Sequence, residues 1–202
     1  MTATTPRTRG EYAKSAGRRH EILSAAVDVF STAGFHKGSL RDVAERAGLS
    51  QAGVLHHFPS KHHLVEAVLT WRDDESRQRF TDEATGLDSL RALVELVADN
   101  QTRTPELVEL FATLSAEATS PDHPVHDYFV RRYVWVVRYV QESFERAVEA
   151  GAVRSDVDCA SEARRLVAVM DGLQVQWLYD RESVDMAVEV RRHVQSLLTV
   201  DL

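Results

Sequence analysis

Four histidines lie close together in the sequence: His56, His57, His62 and His63. Imidazole nitrogens bind transition metals and transfer protons near neutral pH, so such a group is compatible with a metal site or a hydrolytic enzyme. However, a predicted turn divides the four between two helices. The chain also has no nucleophile motif, P-loop or glycine-rich dinucleotide turn. We therefore expect no metal, no cofactor and no enzymatic activity, with His57 packed under the turn and the other three in solvent.

Basic residues are concentrated in the first third of the chain. Residues 1–65 contain nine Lys and Arg against five Asp and Glu, whereas the whole chain has a net charge of −7. A phosphate backbone would be attracted to the first segment and repelled by the remainder. We predict a DNA-binding domain at residues 1–64 and an acidic helical domain at residues 65–202.

The composition is typical of a folded protein from a reducing compartment. The 202 residues include five prolines and nine glycines, and Cys159 has no second cysteine with which to form an intrachain disulfide. No run of about 18 apolar residues predicts a membrane span. Because residues 1–10 lack the apolar stretch of a secretory signal, we expect a cytoplasmic protein without membrane contact.

Apolar residues recur with helical spacing along nearly the whole chain, and no segment shows the alternation of a strand. The pattern predicts an all-α fold of about nine helices. Their expected limits are Gly34 at the end of the first helix, residues 40–47, residues 51–57, Ser60 as the cap of the fourth, residues 87–102, Thr104-Pro105 to about 119, about 122–150, Asp158 as the cap of the eighth and Ser183 as the cap of the ninth.

The two short helices at 40–47 and 51–57 have the spacing of a helix-turn-helix, with Gly48 in the turn and Ser39 capping the first helix. Residues 51, 52, 53, 55 and 56 should face outward from the second helix. Small residues at Ala52 and Gly53 would allow that helix to lie close to base edges in a DNA major groove. Its N-terminal N–H groups would also favour phosphate.

Sequence blocks in this region occur in a specific order and spacing. They are RHEILSAA at 19–26, F and GF at 30 and 34–35, SLRDVA at 39–44, AGLS at 47–50, and HHFPSK followed by L at 56–64. Residues 18–68 therefore resemble the N-terminal domain of the tetracycline-repressor family of bacterial regulators. Residues 114–119 and 170–178 are similar, less specifically, to the helical sensor domain of family members. The resemblance implies a three-helix DNA-binding domain followed by a helical bundle.

The resemblance also implies roles for individual positions at the DNA. The matching DNA-contacting positions are Ser39, Arg41, Ser50, Gln51, Ala52, Gly53, His56 and Lys61. Leu55 departs from the family, which usually has a phosphate-contacting tyrosine there. Because leucine donates no hydrogen bond, we expect this contact to be lost or taken over by His56.

The C-terminal domain is expected to bind a small-molecule effector, as the resemblance implies. The candidate pocket residues are Phe111, Leu114, Glu117, Tyr128, Trp135, Met170, Asp171, Gln174 and Trp177. For each aromatic residue, core packing is the alternative interpretation. If Glu117 or Asp171 is buried, a cationic or hydrogen-bonding effector is favoured.

The resemblance further implies a homodimer that pairs helices eight and nine with those of a second subunit, and hence a palindromic operator. The effector would shift the protein toward a state in which the recognition helices are wrongly separated, with coupling through the fourth helix. We expect repression and not activation only because most members of the family that the chain resembles are repressors. Two alternatives stay open from the sequence: a helical enzyme that uses the histidine-rich segment, and a helical interaction module that does not bind DNA.

Overall fold

The computed structural model describes residues 9–77 and 86–202, with side chains described from residue 16 onward. Over these ranges the chain is all-helical, which confirms the predicted fold class, and one isolated antiparallel bridge joins Val153 to Leu198. The helices are α1 Arg9–Lys37, α2 Leu40–Arg46, α3 Gln51–His57, α4 Lys61–Arg77, α5 Gly86–Arg103, α6 Pro105–Glu117, α7 His126–Glu149, α8 Cys159–Tyr179 and α9 Met186–Gln195. In the described ranges, no helix combines the length and apolar character needed to cross a bilayer.

The chain divides into two compact units, residues 1–69 and residues 70–202, and the division falls inside α4. The first unit has its own apolar core. Ile22, Phe30, Val43, Val54 and Phe58 are each at most 1% exposed. Burying a side chain of this size contributes about 1.5–3 kcal/mol, so these residues of α1, α2, α3 and the segment after α3 supply much of the stability of the first unit.

Serine side chains cap the N-termini of three helices in the first unit, as the sequence predicts. The Oγ atoms of Ser39, Ser50 and Ser60 accept hydrogen bonds from N–H groups three residues later, at 3.2, 3.1 and 3.3 Å. These bonds satisfy donors that the first turn of a helix leaves without intrahelical acceptors. At α2 the capping box is complete, because the Ser39 N–H donates in return to Asp42 Oδ2 at 3.0 Å.

The second unit is a bundle of α5 to α9 with the C-terminal end of α4. Its core includes Leu90, Phe144, Leu166 and Val190, all fully buried. Gly86, at the start of α5, has no room for a side chain: a Cβ there would lie 2.3 Å from a backbone nitrogen of α7 and 2.4 Å from a backbone oxygen. Glycine therefore sets how closely α5 approaches α7.

Several predicted helix limits are wrong. The helix α7 begins at His126, because residues 120–126 form successive turns around Pro124. Asp185, not Ser183, caps α9, since Ser183 is engaged by Asp180 through its N–H at 3.1 Å and its hydroxyl at 2.5 Å. Thr104 makes no capping bond, although the following proline occupies the first turn as expected. The predicted Asp158 cap of α8 is confirmed.

Candidate nucleic-acid interface and helical cavity

The turn between α2 and α3 is tight and depends on one glycine. Gly48 has φ +65°, a left-handed conformation that L side chains rarely adopt. The next N–H, that of Leu49, donates to the carbonyl oxygen of Ala44 at 2.8 Å. Ala44 and Val54 are buried beside this turn, so the two short helices are fixed relative to each other.

The outer face of α3 carries small side chains near its N-terminal end. Gln51, Ala52, Leu55 and His56 are exposed, and Gly53 is half-buried. A Cβ added at Gly53 would lie 3.4 Å from the Oγ of Ser50, which is ordinary contact. Glycine is therefore not required for folding at position 53. A short helix with small residues and exposed polar side chains is suited to entering a major groove.

Two basic residues stand on either side of the turn. Arg41 is exposed on α2. Lys61, the first residue of α4, has its Nζ 4.4 Å from the centre of the Phe35 ring and donates to the carbonyl oxygen of His36 at 3.4 Å. These contacts hold the lysine amine in one place, which reduces the entropy lost when it meets a phosphate.

Ser39 and Asp42 serve the fold of α2 itself. The hydroxyl of Ser39 donates to Asp42 Oδ2 at 2.7 Å, and this bond, with the backbone bond from the same residue, lowers the pKa of the Asp42 carboxyl. The Ser39 side chain is therefore engaged within the first unit.

Arginine residues that the sequence reasoning passed over support this region. The guanidinium of Arg19 lies 4.2 Å from the centre of the Phe58 ring, and its Nη1 donates to the carbonyl oxygen of His57 at the end of α3. Arg46 pairs with Asp28 of α1 at 2.7 Å. The signal for Arg19 was its place in the first sequence block. The sequence carries no signal for the role of Arg46, because its partner Asp28 lies 18 residues away.

The histidine group contacts several different partners. His56 packs edge to face on His57, whereas His62 lies against the Phe35 ring. The Nδ1 of His63 is 2.7 Å from the Ser60 hydroxyl. Within the described ranges, none of the four belongs to a cluster of three or more ligand atoms close enough to share one metal ion.

The second unit contains two adjoining cavities, of about 150 and about 50 Å³, bounded by parts of α4 to α8 and the start of α9. Both are lined by Arg72, Ser76, Leu96 and Asn100. The smaller one is also lined by Val97, Val108, Arg132, Val136, Val167, Met170, Asp171, Gln174 and Met186. The smaller cavity thus combines apolar walls with converging polar groups, which is the usual composition of a small-molecule site.

A charged cluster lies next to the smaller cavity, and two of its members, Arg72 and Arg132, line the cavity. Asp73 accepts a 2.5 Å hydrogen bond from the hydroxyl of Tyr128, and its Oδ1 lies 3.1 Å from the Nε of Arg132. That second contact is an ion pair whose N–H is not aligned with the oxygen. The guanidinium groups of Arg72 and Arg132 lie 4.2 and 4.6 Å from the centre of the Phe111 ring.

Burial changes the acidity of several groups in this cluster. Desolvation, and then the charge of Arg132, lower the pKa of Arg72 to about 10. Desolvation raises the pKa of Asp171, although Tyr133 donates a 2.8 Å hydrogen bond to its carboxylate. The pKa of the Tyr128 hydroxyl is also raised, first by burial and then by the charge of Asp73.

The nine effector-pocket candidates fall into three groups. Met170, Asp171 and Gln174 line the smaller cavity. Phe111 and Tyr128 do not line it but contact its charged residues. The other four lie elsewhere: Leu114 is fully buried, Trp177 belongs to the main core, Trp135 stacks on Tyr139, and Glu117 lies near His123.

Sequence reasoning missed Arg72 and Arg132, although a signal was present. The buried positions of α4 include 65, 68 and 69, and the same helical stripe continues to Arg72. On α7, Arg132 falls between the buried positions 129 and 136. A charged residue in an apolar stripe is costly unless something compensates it, so it indicates a function.

The outer surface of the second unit carries several exposed apolar side chains. Those on α7 to α9 are Val130, Val134, Val175, Tyr179 and Val188. One of them, Val134, lines a surface depression of about 500 Å³ between α7 and α8. On α9 itself, Met186, Val190 and Val194 are buried within the unit.

Two family models match the chain. Residues 22–68 match the model described as bacterial regulatory proteins, tetR family. Residues 86–199, more than half of the chain, match the model described as BetI-type transcriptional repressor, C-terminal. The first match covers α2 and α3, and the second covers α5 to α9, which surround the cavities together with the C-terminal end of α4.

Full-length relatives and solved structures agree with these matches. The transcriptional repressor KstR2 of Rhodococcus jostii is 27% identical over 96% of each chain, and the transcriptional regulator UidR of Escherichia coli is 25% identical over 85% of each chain. The fold is shared with a transcriptional regulator of Saccharomonospora viridis solved in complex with choline, at a TM-score of 0.77 and 22% identity over 92% of this chain and all of that one. The chain therefore belongs to the TetR family of bacterial regulatory proteins and is a DNA-binding, ligand-responsive transcriptional repressor with a BetI-type C-terminal domain.

Proposed function

We propose that the chain binds a palindromic operator as a homodimer and releases it when a small molecule occupies the cavity of the second unit. The outer face of α3 supports DNA binding. Gln51, Ala52 and His56 are exposed there, on a helix that is fixed by a buried core. The excess of basic residues in this segment supplies attraction to phosphate.

We infer individual roles at the DNA from exposure. Gln51, Ala52, Gly53 and His56 face the bases or the adjacent backbone, while Arg41 and Lys61 contact phosphates on either side. Ser50 offers the N-terminus of α3 to a phosphate, and Ser39 fixes the start of α2. Leu55 is 37% exposed and contributes no hydrogen bond to the backbone.

We assign the two functions to two consecutive parts of the chain. Residues 1–64 bind DNA, and residues 65–202 bind the effector and form the dimer. One helix, α4, contains both Lys61 and Arg72. An effector that changes the position of Arg72 would therefore act on the same helix that presents Lys61. Such an effector shifts the equilibrium only by its difference in affinity between the two states.

The choline bound in the Saccharomonospora viridis regulator supports a small-molecule site in this class of helical domain. Choline itself carries a permanent positive charge. In this chain the buried guanidinium of Arg72 lines both cavities and would repel a cation. We therefore propose a different effector.

We propose that α8 and α9 form the dimer interface. Val175 and Tyr179 of α8 and Val188 of α9 are exposed apolar side chains on these two helices. Val175 and Tyr179 are four positions apart and therefore lie on one face of α8, and a contiguous exposed apolar surface is characteristic of subunit interfaces. The protein acts in the cytoplasm as a regulator, not as an enzyme.

Footprinting on DNA from either side of the encoding gene tests this function. The expected result is protection of two symmetric half-sites, with centres about one helical turn or a multiple of one turn apart. Protection of one isolated site would contradict the dimeric mode, and no protection of any fragment at low salt would contradict DNA binding there.

A further inference from the structure

The most unusual group outside the DNA-binding unit is the guanidinium of Arg72. Only 5% of the residue is exposed, and its Nε and Nη1 have no hydrogen-bond partner among the described residues. Its nearest described carboxylate contact, with Asp73, is 4.0 Å long. A buried charge without aligned acceptors destabilises a folded protein, so its presence beside a cavity indicates that a ligand supplies the acceptor.

The surroundings do not supply the missing acceptor. Asp73 is occupied by Tyr128 and by the ion pair with Arg132. The carboxylate of Asp171, which also lines the cavity, accepts a 2.8 Å hydrogen bond from Tyr133 and is not a hydrogen-bond partner of Arg72 Nε or Nη1. On its remaining side, Arg72 packs on Phe111, whose ring also contacts Arg132. Two guanidinium groups therefore line one cavity, and the two nearby carboxylates, those of Asp73 and Asp171, already accept hydrogen bonds from tyrosine hydroxyls.

We propose that the effector is a small organic acid whose carboxylate pairs with Arg72 and is attracted by Arg132. This inference rests on the proposed function, because it names the chemical class that occupies the same cavity. A carboxylate offers two charged acceptor oxygens, and one of them can accept from Nε or Nη1 of Arg72, the nitrogens that have no hydrogen-bond partner among the described residues.

The rest of the lining indicates what the acid carries besides its carboxylate. Leu96, Val97, Val136 and Met170 give the cavity apolar walls, which fit a hydrocarbon body. The Oε1 of Gln174 is buried there without a hydrogen-bond partner in the described part of the chain. A hydroxyl or amide N–H on the body of the ligand would satisfy this oxygen.

The test uses the full chain and compares acetate with acetamide, its neutral analogue, at constant ionic strength. Thermal unfolding is followed for the wild type, for Arg72→Met and for Arg77→Met, an exposed arginine on the same helix. At tenfold excess over its apparent Kd, acetate should raise the Tm of the wild type and of Arg77→Met by about 3–6 °C. Acetamide should have no effect, and Arg72→Met should not respond to acetate.

A second readout needs no ligand. Methionine fills similar space without a charge, so Arg72→Met should have a Tm equal to or above that of the wild type. A fall of several degrees would show that Arg72 is a structural residue and would overturn the inference. An acetate response that is absent from the wild type, or unchanged in Arg72→Met, would overturn it as well. DNA binding is measured separately: if the acetate response depends on Arg72 but no DNA is bound, the carboxylate site stands and the proposed function fails.

Discussion

Arg72 and Asp73 are consecutive buried residues of opposite charge, yet the Nη1 atom of Arg72 lies 4.0 Å from the Oδ1 atom of Asp73. Successive side chains on a helix point about 100° apart, so neighbours in sequence do not face each other. Asp73 instead contacts Tyr128 and Arg132 of α7, which leaves Arg72 to face the cavities. The charge arrangement that marks this site is thus a product of helix geometry.

Asp171→Asn tests the electrostatics of the cavity. Burial raises the pKa of Asp171 in the folded state, despite the Tyr133 hydrogen bond and the charges of Arg132 and Arg72. The folded protein therefore binds the carboxyl proton more tightly than the unfolded chain, and the contribution of Asp171 to stability falls as pH rises above about 4. The Tm difference between Asp171→Asn and the wild type should grow in favour of the variant from pH 4 upward. A difference that shrinks with rising pH would show that the ionised form is stabilised in the fold.

A pair of glycine substitutions separates folding from DNA binding. Gly48→Ala places a side chain at φ +65° and should destabilise the protein by about 1 kcal/mol, which lowers the Tm by about 2–4 °C. Gly53→Ala fits sterically and lies within a helix, so stability should be unchanged or higher by up to about 1 kcal/mol.

The same pair is then compared for operator affinity. Gly53→Ala should weaken binding because the added methyl group thickens a helix that we place against base edges. If this variant binds as tightly as the wild type, the close approach of α3 at that position is wrong.

Leu55→Tyr should restore a backbone contact that this chain lacks. The leucine side chain is 37% exposed, so a tyrosine ring can replace it without entering the core. One added neutral hydrogen bond to phosphate should tighten operator binding about 2- to 10-fold. Because the hydroxyl is uncharged, the salt dependence of binding should not change. Leu55→Phe is the matched control, and an equal gain from Phe would assign the effect to packing instead.

Val175→Glu should weaken the dimer. Val175 is 47% exposed in the isolated chain, and a carboxylate at that position would have to be desolvated in an interface built on α8 and α9. Sedimentation equilibrium should show a dimer Kd at least about tenfold higher, with unchanged helix content. Val200→Glu, which is 44% exposed and outside these helices, serves as the control. A dimer that tolerates Val175→Glu but dissociates on Val134→Glu would move the interface to α7.

The sequence was informative where the chemistry is local. Helix spacing, the serine caps at 39, 50 and 60, and the glycine in the turn all depend on residues within four positions of one another. The first unit is also where the sequence blocks are most specific. The predicted helix limits were wrong where a competing local hydrogen bond exists. At Ser183, for example, the hydroxyl donates to Asp180.

The cavity could not be predicted in the same way, because its parts come from distant segments. The residues that contact Asp73 lie 55 and 59 positions away, at Tyr128 and Arg132. Aromatic residues alone gave a poor guide: Trp135 and Trp177 belong to packing arrangements outside the cavity, although both sit on helices that border it. A charged residue in a buried stripe was the better signal.

The salt dependence of DNA binding tests whether basic residues of the first unit contact the phosphate backbone. Fluorescence anisotropy is measured with a labelled fragment from beside the encoding gene, over a range of salt concentrations, for the wild type, Arg41→Ala and Arg154→Ala. Arg41 is exposed beside α3, whereas Arg154 is an exposed arginine of the second unit. We expect binding by the wild type to weaken steeply with salt, Arg41→Ala to weaken it further and reduce the slope of log K against log salt by about one per subunit, and Arg154→Ala to match the wild type. If binding by the wild type is absent or insensitive to salt, or if Arg41→Ala behaves as the wild type, the first unit does not bind phosphate through Arg41 as proposed.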